Sequence, residues 1–269
     1  MESMVQMLGL AHQWRLDLES WAIPEDIVAQ APTSPWVHPV ELFTVGDEIP
    51  DSISHRRARE ALGAGGSVLD VGCGGGRAAM ALIPPATLVM GVDHQQAMLD
   101  QFALAAASRG VEHVEVLGNW DDVYESVPSC DVVVSHHVAY NVQDIVPFLA
   151  ELNLHARSRV VLELPTRHPL TALSPFWKHF WDIDRPTRPG ADDLHVIAQA
   201  MGFDAHLEIW EDPTWQNRVV VESGDAVRNM RIRLCLTDDR DDEIAELMAK
   251  TPPQGPRQVA TLWWDVAQQ

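Results

Sequence analysis

The chain has 269 residues, 46% of them hydrophobic and 22% charged, which is typical of a globular protein with a sizeable core. Its 39 acidic and 19 basic residues give a net charge of −20, which disfavours a partner with a phosphate backbone, such as a nucleic acid. The three cysteines are widely spaced, and neither a signal peptide nor a long apolar run is visible, so we expect a cytoplasmic protein without disulfides or a membrane partner.

The first fifty residues differ in character from the rest of the chain. An apolar stripe with helical spacing predicts a helix within residues 1–22. Prolines punctuate residues 24–50, which predicts an irregular course with a short helix at Glu25–Gln30. We expect residues 1–50 to form a cap over a ligand crevice, with a simple surface wrap as the alternative. Residues 52–63 then predict a helix that leads into the first strand.

A glycine-dense turn follows the first predicted strand. The apolar run Ser67–Val71 ends in the turn 72–76, and small residues beyond it can begin a helix. Glycines permit positive φ and bring unhindered backbone N–H groups close to a ligand at the N-terminus of a helix. The turn therefore predicts a ligand site at this strand end.

Four residues of this stretch fit the pattern Asp-x-Gly-x-Gly-x-Gly: Asp70, Gly72, Gly74 and Gly76. The pattern resembles motif I of the class I S-adenosylmethionine-dependent methyltransferases. The resemblance implies that Asp70 lies near the methionine amino group of the cofactor. It also implies that the glycine loop, including Cys73, packs against the cofactor.

A second carboxylate, Asp93, follows the glycine turn at a spacing typical of nucleotide-binding folds. The apolar run Thr87–Asp93 predicts another buried strand, and Asp93 lies 17 positions after Gly76. An acidic residue at an offset of about 20 binds ribose hydroxyls in folds of this kind. The string 91–99 resembles the second motif of the same family, which adds His94 to the predicted cofactor contacts. The alternative is a solvated turn aspartate without a ligand.

The loop after the third predicted strand, Val114–Leu117, carries Asn119 and Trp120. In the resembling family this loop contacts the adenine, where an amide or acid reads the amino group and an aromatic ring stacks. We therefore predict that Asn119 and Trp120 bind the cofactor, with a place in the core as an equal alternative for Trp120.

The fourth predicted strand, Asp131–Ser135, is followed by His136, His137 and Tyr140. Ligands of open α/β sheets bind beyond the carboxyl ends of the strands, so these side chains are expected at the reaction site, and Ser135 at the cofactor. We predict that His136 or His137 is a general base and that Tyr140 orients the acceptor. The alternative is that both histidines only cap the strand end or bond the backbone.

The residues after Tyr140 predict a helix that begins near Ile145. Asn141 is a candidate N-cap, with Asp144 at the third helical position as in a capping box. A divalent metal held by the adjacent histidines and Asp144 is a minor alternative. Neighbouring residues of an extended chain point apart, so we predict no metal site.

The remainder continues the alternation of strands and helices. Residues 165–190 are rich in proline and aromatic residues and suit the wall of a substrate pocket. The other predicted elements are a strand at 159–164, a helix near 194–201 that ends at Gly202, a strand at 205–210, helices at 225–235 and 240–249, and a strand at 259–264.

These patterns predict an α/β fold: a doubly wound, mostly parallel seven-stranded sheet with helices on both faces and an N-terminal helical cap. We expect a cap segment at 1–50 and a class I methyltransferase domain at 51–269, with insertions at about 165–190 and 223–256.

The resemblance predicts an enzyme that uses S-adenosyl-L-methionine to methylate a small-molecule acceptor at oxygen. We expect no nucleic-acid partner, and the sequence is compatible with a homodimer. One alternative is a non-catalytic subunit that only binds the cofactor or a partner. Another is an NAD(P)-dependent oxidoreductase with the pattern G-x-G-x-x-G/A. That pattern fails from Gly72, because its third position is Arg77, and fits from Gly74 through Ala79 only with an awkwardly long strand end.

Overall fold

A computed structural model describes residues 2–36, 45–46, 48–212, 226–251 and 256–267. Within these ranges seven strands form one sheet: β1 Gly66–Val71, β2 Ala86–Asp93, β3 Glu112–Leu117, β4 Cys130–His136, β5 Ala156–Pro165, β6 His206–Asp212 and β7 Arg257–Asp265. The strand order is β3-β2-β1-β4-β5-β7-β6. Every strand predicted from the sequence is present.

The sheet is parallel except at β7. Strands β1 to β5 pair in parallel, whereas β7 runs antiparallel to both β5 and β6. The central strands read as continuous apolar runs because helices cover both of their faces. The predicted fold class is confirmed.

Helices connect the strands and pack on both faces. Their bounds are α1 Glu2–Glu19, α2 Glu25–Gln30, α3 Ile53–Leu62, α4 Arg77–Met80, α5 Gln96–Ser108, α6 Trp120–Val123, α7 Ile145–His155, α8 Ser174–Trp181, α9 Ala191–Ala200, α10 Ala226–Arg233 and α11 Asp241–Lys250. None of the helices in the described ranges is both long enough and apolar enough to cross a membrane.

The core has two halves, one on each face of the sheet. Neighbouring residues of β4 alternate between them: Val133 packs with α1, α7 and α9, whereas Val132 and Val134 pack with α3, α4 and α5. All three valines are at most 1% exposed. This alternation is the period-two geometry of a strand that is buried on both sides.

The predicted N-cap of α7 is wrong. Asn141 belongs to a 3-10 turn, Ala139–Asn141, and Asp144 occupies the N-cap position without a capping bond from its side chain. The Asp144 carboxylate pairs instead with Arg15 of α1. A local spacing rule cannot anticipate this ion pair, since its partner lies 129 positions away in the sequence.

A third cluster of buried apolar side chains lies outside the two halves of the core, and we call it the outer cluster. It is built from α2, α8, α10 and α11 with the residues beside them: Ile23, Ile27, Phe176, Trp177, Leu234, Cys235, Leu236 and Ile244. The indole of Trp181 donates to Leu234 O at 2.8 Å, and His179 contacts Glu243 at 2.8 Å. The N-terminal segment and the two predicted insertions therefore pack together. Residues 37–44, 47, 213–225 and 252–255 of these segments lie outside the described ranges.

Candidate functional site

The glycine turn after β1 has the backbone geometry that its sequence demands. Gly72, Gly74 and Gly76 have φ values of 72°, 50° and 90°, a region that disfavours other residues. A Cβ atom on Gly72 would lie 2.4 Å from a methyl group of Val138. At Gly72 both the positive φ and the close approach of Val138 therefore favour glycine.

Backbone hydrogen bonds fix the turn to β2. The N–H groups of Gly72 and Cys73 donate to Val92 O at 2.9 and 3.0 Å. The Cys73 thiol is buried, and burial, with the negative charges of Asp70 and Asp93 nearby, raises its pKa. Cys73 therefore contributes a neutral, packed side chain to the turn rather than a thiolate.

Asp70 is buried with one hydrogen bond to its side chain. Its Oδ2 accepts from the backbone N–H of Ala79 in α4 at 3.1 Å, and the residue is 1% exposed. Burial and the negative charge of Asp93 raise the pKa of Asp70 to about 7, against the effect of the Ala79 bond. A buried carboxylate in this state is suited to a cationic ligand group, because a positive charge would stabilise its ionised form.

Asp93 is held from two sides. Its Oδ2 accepts from the Gly74 N–H at 3.0 Å, and its Oδ1 accepts from the Gln95 N–H at 2.9 Å. The carboxylate thus joins the end of β2 to the glycine turn. Each carboxylate oxygen has two acceptor sites, so both retain the capacity to accept a further hydroxyl. His94 is largely exposed, with Nδ1 3.5 Å from Asp93 Oδ1.

Asn119 and Trp120, which follow β3, lie in different environments. Asn119 is exposed, and its Nδ2 donates to Asp122 Oδ2 at 3.0 Å. Trp120 is buried in the core with its ring edge-on to that of His155, at a centroid distance of 5.0 Å. Trp120 therefore packs in the core, which was the alternative to cofactor binding. Adenine contacts by either residue stay a prediction.

Ser135 and Tyr140 are bonded to backbone carbonyls at the sheet edge. The Ser135 hydroxyl donates to Val71 O at 2.8 Å and ties the end of β4 to that of β1. The Tyr140 hydroxyl donates to Pro165 O at 2.8 Å, and its ring stacks on Trp14. Burial raises the pKa of Tyr140. The one hydroxyl proton of Tyr140 is already donated, and the side chain packs within the loop after β4. A role of Tyr140 in orienting an acceptor stays a prediction.

His136 and His137 lie in different environments. The side chain of His136 is 9% exposed, its Nε2 is buried without a hydrogen-bond partner, and burial lowers its pKa to about 3. The side chain of His137 is 38% exposed, and its backbone has a left-handed φ of 63°. The chain turn at His137 therefore directs two neighbouring imidazoles to different surroundings, one neutral and buried, the other open.

Both histidines face Glu163 of β5, which the sequence analysis did not single out. Its Oε1 lies 3.3 Å from His137 Nε2 and 3.9 Å from His136 Nδ1. Burial acts to raise the pKa of Glu163, but the facing imidazoles hold it well below its usual range. Glu163 could have been recognised from the sequence as a charged residue inside the apolar run Val160–Leu164, because such residues are rarely buried without a partner.

Helix α3 completes this cluster with Ser52 and His55. The Ser52 hydroxyl donates to Glu163 Oε2 at 3.2 Å and accepts from the His55 N–H at 3.1 Å, so it also caps the helix. The His55 ring stacks on His136 at a centroid distance of 5.7 Å. Glu163 of β5 is thereby contacted by the N-cap of α3 and by the two histidines at the end of β4, at the carboxyl end of the sheet.

These residues fit the cofactor that motif I implies. The glycine turn has positive φ at three positions, the buried Asp70 has no cation paired with it among the described residues, and Asp93 keeps free acceptor capacity beside the turn. An ammonium group, a diol and an extended chain against the glycines would satisfy these three features.

Comparisons with known proteins agree with this geometry. Residues 69–160 match a family model described as a methyltransferase domain. An uncharacterised protein of Haemophilus influenzae is 31% identical over 102 residues, and that alignment spans 38% of this chain and 38% of the relative.

Solved structures share the fold over most of the chain. The YcgJ protein of Bacillus subtilis has a TM-score of 0.52 at 20% identity, over 80% of this chain and 98% of that one. YjhP of E. coli has a TM-score of 0.54 at 14% identity, over 85% and 97%. Coclaurine N-methyltransferase, solved with N-methylheliamine and S-adenosylhomocysteine, has a TM-score of 0.51 at 12% identity, over 98% and 87%. Residues 69–160 are thus similar to a methyltransferase domain, and motif I and the sheet order resemble those of the class I, Rossmann-like fold of S-adenosylmethionine-dependent methyltransferases.

Proposed function

We propose that the chain methylates a small-molecule acceptor at oxygen, with His137 as the general base and Glu163 as its positioning residue. The observation that carries the proposal is the 3.3 Å contact between His137 Nε2 and Glu163 Oε1, at the sheet edge where ligands of such folds bind. The net charge of −20 favours a small molecule over a nucleic acid. A small molecule is also the ligand of coclaurine N-methyltransferase, which shares the fold.

The cofactor supplies an electrophilic methyl group when bound. Asp70 would face its ammonium group, Asp93 its ribose hydroxyls, and the turn at Gly72, Gly74 and Gly76 its chain, while Asn119 stays the candidate for its adenine. These contacts position the methyl group, and positioning supplies a large part of the reduction of the barrier.

Proton removal is the task of His137. Because Nε2 faces the Glu163 carboxylate, that nitrogen carries the hydrogen, and Nδ1 keeps the lone pair that can accept a proton from the acceptor hydroxyl. The carboxylate then stabilises the imidazolium that forms. His136 is less suited to this task, since burial lowers its pKa to about 3.

The first experiment measures cofactor binding by thermal unfolding with S-adenosylmethionine, S-adenosylhomocysteine or NADH. A ligand at 100 times its Kd stabilises by about 2.7 kcal/mol, or about 5–10 °C in Tm for a domain of this size. We expect this shift with the two sulfur ligands and none with NADH. A shift with NADH alone would overturn the assigned cofactor.

The second experiment measures S-adenosylhomocysteine formation with a panel of hydroxylated small molecules. We expect His137→Gln to lower kcat about 100- to 10,000-fold, with cofactor binding unchanged. The exposed His12→Gln on α1 serves as the matched control and should behave as the wild type. Wild-type turnover in His137→Gln would rule out the base role.

A further inference from the structure

Arg185 is a buried cation in the segment between α8 and α9. The residue is 9% exposed, and its guanidinium lies over the rings of Trp21 and Trp177, at 5.2 and 5.1 Å from their centroids. Its terminal nitrogens donate to the backbone carbonyls of Trp21 and Ala22. Its Nε is buried without a hydrogen-bond partner, so the guanidinium keeps unused donors.

In the part of the chain that the structure describes, no carboxylate pairs with Arg185. Burial lowers its pKa, and no acidic neighbour opposes that effect. Other arginines of the same region do have acidic partners: Arg240 lies over Phe180 and pairs with Glu243, and Arg188 pairs with Asp193. A buried charge without a counter-ion is unfavourable, and here it persists in a chain with 39 acidic residues.

Ring contacts connect Arg185 to the candidate active site. The His168 ring stacks on Trp21 at a centroid distance of 4.0 Å and meets the ring of Tyr140 edge-on at 5.3 Å. Tyr140 follows His137 by three positions and bonds Pro165, two positions beyond Glu163. Three contacts therefore connect Arg185 to the loop that carries the proposed base: Arg185 with Trp21, Trp21 with His168, and His168 with Tyr140.

We propose that Arg185 binds a carboxylate group of the methyl acceptor, with the indoles of Trp21 and Trp177 beside it. The guanidinium binds carboxylates through paired N–H groups, and its unused donors include Nε. The two flat indole rings beside the guanidinium suit a planar or aromatic acid. This inference rests on the proposed function, because it names the class of acceptor for the same site.

The test uses the full chain saturated with S-adenosylhomocysteine and compares carboxylates with their uncharged amides. The probes are benzoate and butyrate against benzamide and butyramide, each titrated while Tm is measured. We expect the acids, and not the amides, to raise Tm by about 3 °C at ten times their Kd. Arg185→Gln should lose this shift, and the matched control Arg240→Gln should keep it.

A second measurement needs no variant at Arg185. Burial, together with the charge of Arg185, lowers the pKa of His168 to about 4. At neutral pH an acid bound to Arg185 should change the His168 ring signals in histidine-detected NMR, and the matching amide should leave them unchanged.

Equal effects of acids and amides, no effect of either acid, or an acid shift that persists in Arg185→Gln would overturn the assignment of Arg185. These results are distinct from failure of the proposed function, which would show as the absence of any stabilisation by S-adenosylhomocysteine itself.

Discussion

At the scale of single residues, the two carboxylates of the candidate cofactor site differ in their hydrogen bonds. Asp93 accepts two backbone N–H groups and so holds the glycine turn against β2. Asp70 accepts one and, among the described residues, is buried without a positive partner. The site is therefore built to be completed at Asp70 by a cation, at a cost in stability that the ligand-free protein bears.

Asp70→Asn should stabilise the ligand-free protein and abolish binding of S-adenosylmethionine. The pKa of Asp70 is about 7 in the folded protein against an ordinary 3.8, so the folded state holds the proton more tightly between these values. Stability from this group therefore falls as pH rises from about 4 to about 7. The gain in Asp70→Asn should be absent at pH 4 and complete at pH 8 in urea unfolding. The exposed Asp100→Asn is the control, and a gain that did not change with pH would contradict the assignment.

Gly72→Ala should be more destabilising than Gly110→Ala, although both glycines have similar positive φ values of 72° and 64°. A Cβ on Gly110 meets nothing within 4 Å, whereas a Cβ on Gly72 meets Val138 at 2.4 Å. The backbone penalty is common to both, so overpacking should add about 1–3 kcal/mol at Gly72. Urea unfolding checks this difference. The double variant with Val138→Ala should recover part of it, and no recovery would argue against the contact as the cause.

At the scale of elements, α3 couples the helical layer to the candidate base. Ser52 both caps the helix and donates to Glu163, so one hydroxyl stabilises α3 and fixes the carboxylate that faces His137. The position of Glu163 thus depends on a helix that begins more than a hundred residues earlier in the chain.

Ser52→Ala should lower the free energy of unfolding by about 1 kcal/mol, the usual effect of losing an N-cap side chain. Ser52→Thr keeps the hydroxyl and should retain most of the stability. Denaturant unfolding of the two variants beside the wild type measures the effect. Equal stability of all three proteins would show that the hydroxyl contributes nothing as a cap.

The elements were predictable from the sequence wherever burial determines the pattern. Strands such as β4 read as apolar runs because helices cover both faces, and their positions agreed with the structure to within one or two residues at most ends. The cap of α7 was not predictable, since an ion pair with a distant helix decided the role of Asp144. Glu163 carried a signal, as a charged residue inside an apolar run, but its partner Ser52 lies 111 positions away in the sequence.

At the scale of the whole molecule, three segments that the sequence presents as separate additions pack into the outer cluster. Apolar side chains from α2, α8, α10 and α11 bury one another there, away from the sheet. Composition predicted that these segments lie outside the sheet, but no local pattern could show that they meet. Trp177 of the outer cluster contacts Arg185, so the cluster borders the proposed carboxylate site.

The buried histidines should make the protein less stable in mild acid. Burial lowers the pKa of His136 to about 3 and, with the charge of Arg185, that of His168 to about 4, from an ordinary 6.5. Their contribution is fully present above pH 6.5 and is lost as pH falls toward these values, because the unfolded chain binds the protons first.

The test compares the wild type with His136→Gln in urea unfolding between pH 7 and pH 4.5. The wild type should lose more stability over this range than the variant, whereas His12→Gln on the exposed face of α1 should follow the wild type. Parallel profiles for all three proteins would contradict a neutral, buried His136.

The reversed strand β7 has a consequence for how the chain is made. It follows β6 in the sequence but lies between β5 and β6 in the sheet, so β6 has no sheet partner until β7 is synthesised. Domains fold as units while synthesis proceeds from the N-terminus. Strands β1 to β5 can assemble early, but they then present the bare edge of β5 to other chains, and such edges favour aggregation. Truncation or delayed synthesis before Arg257 should leave the edge of β5 unpaired and the nascent chain prone to aggregation.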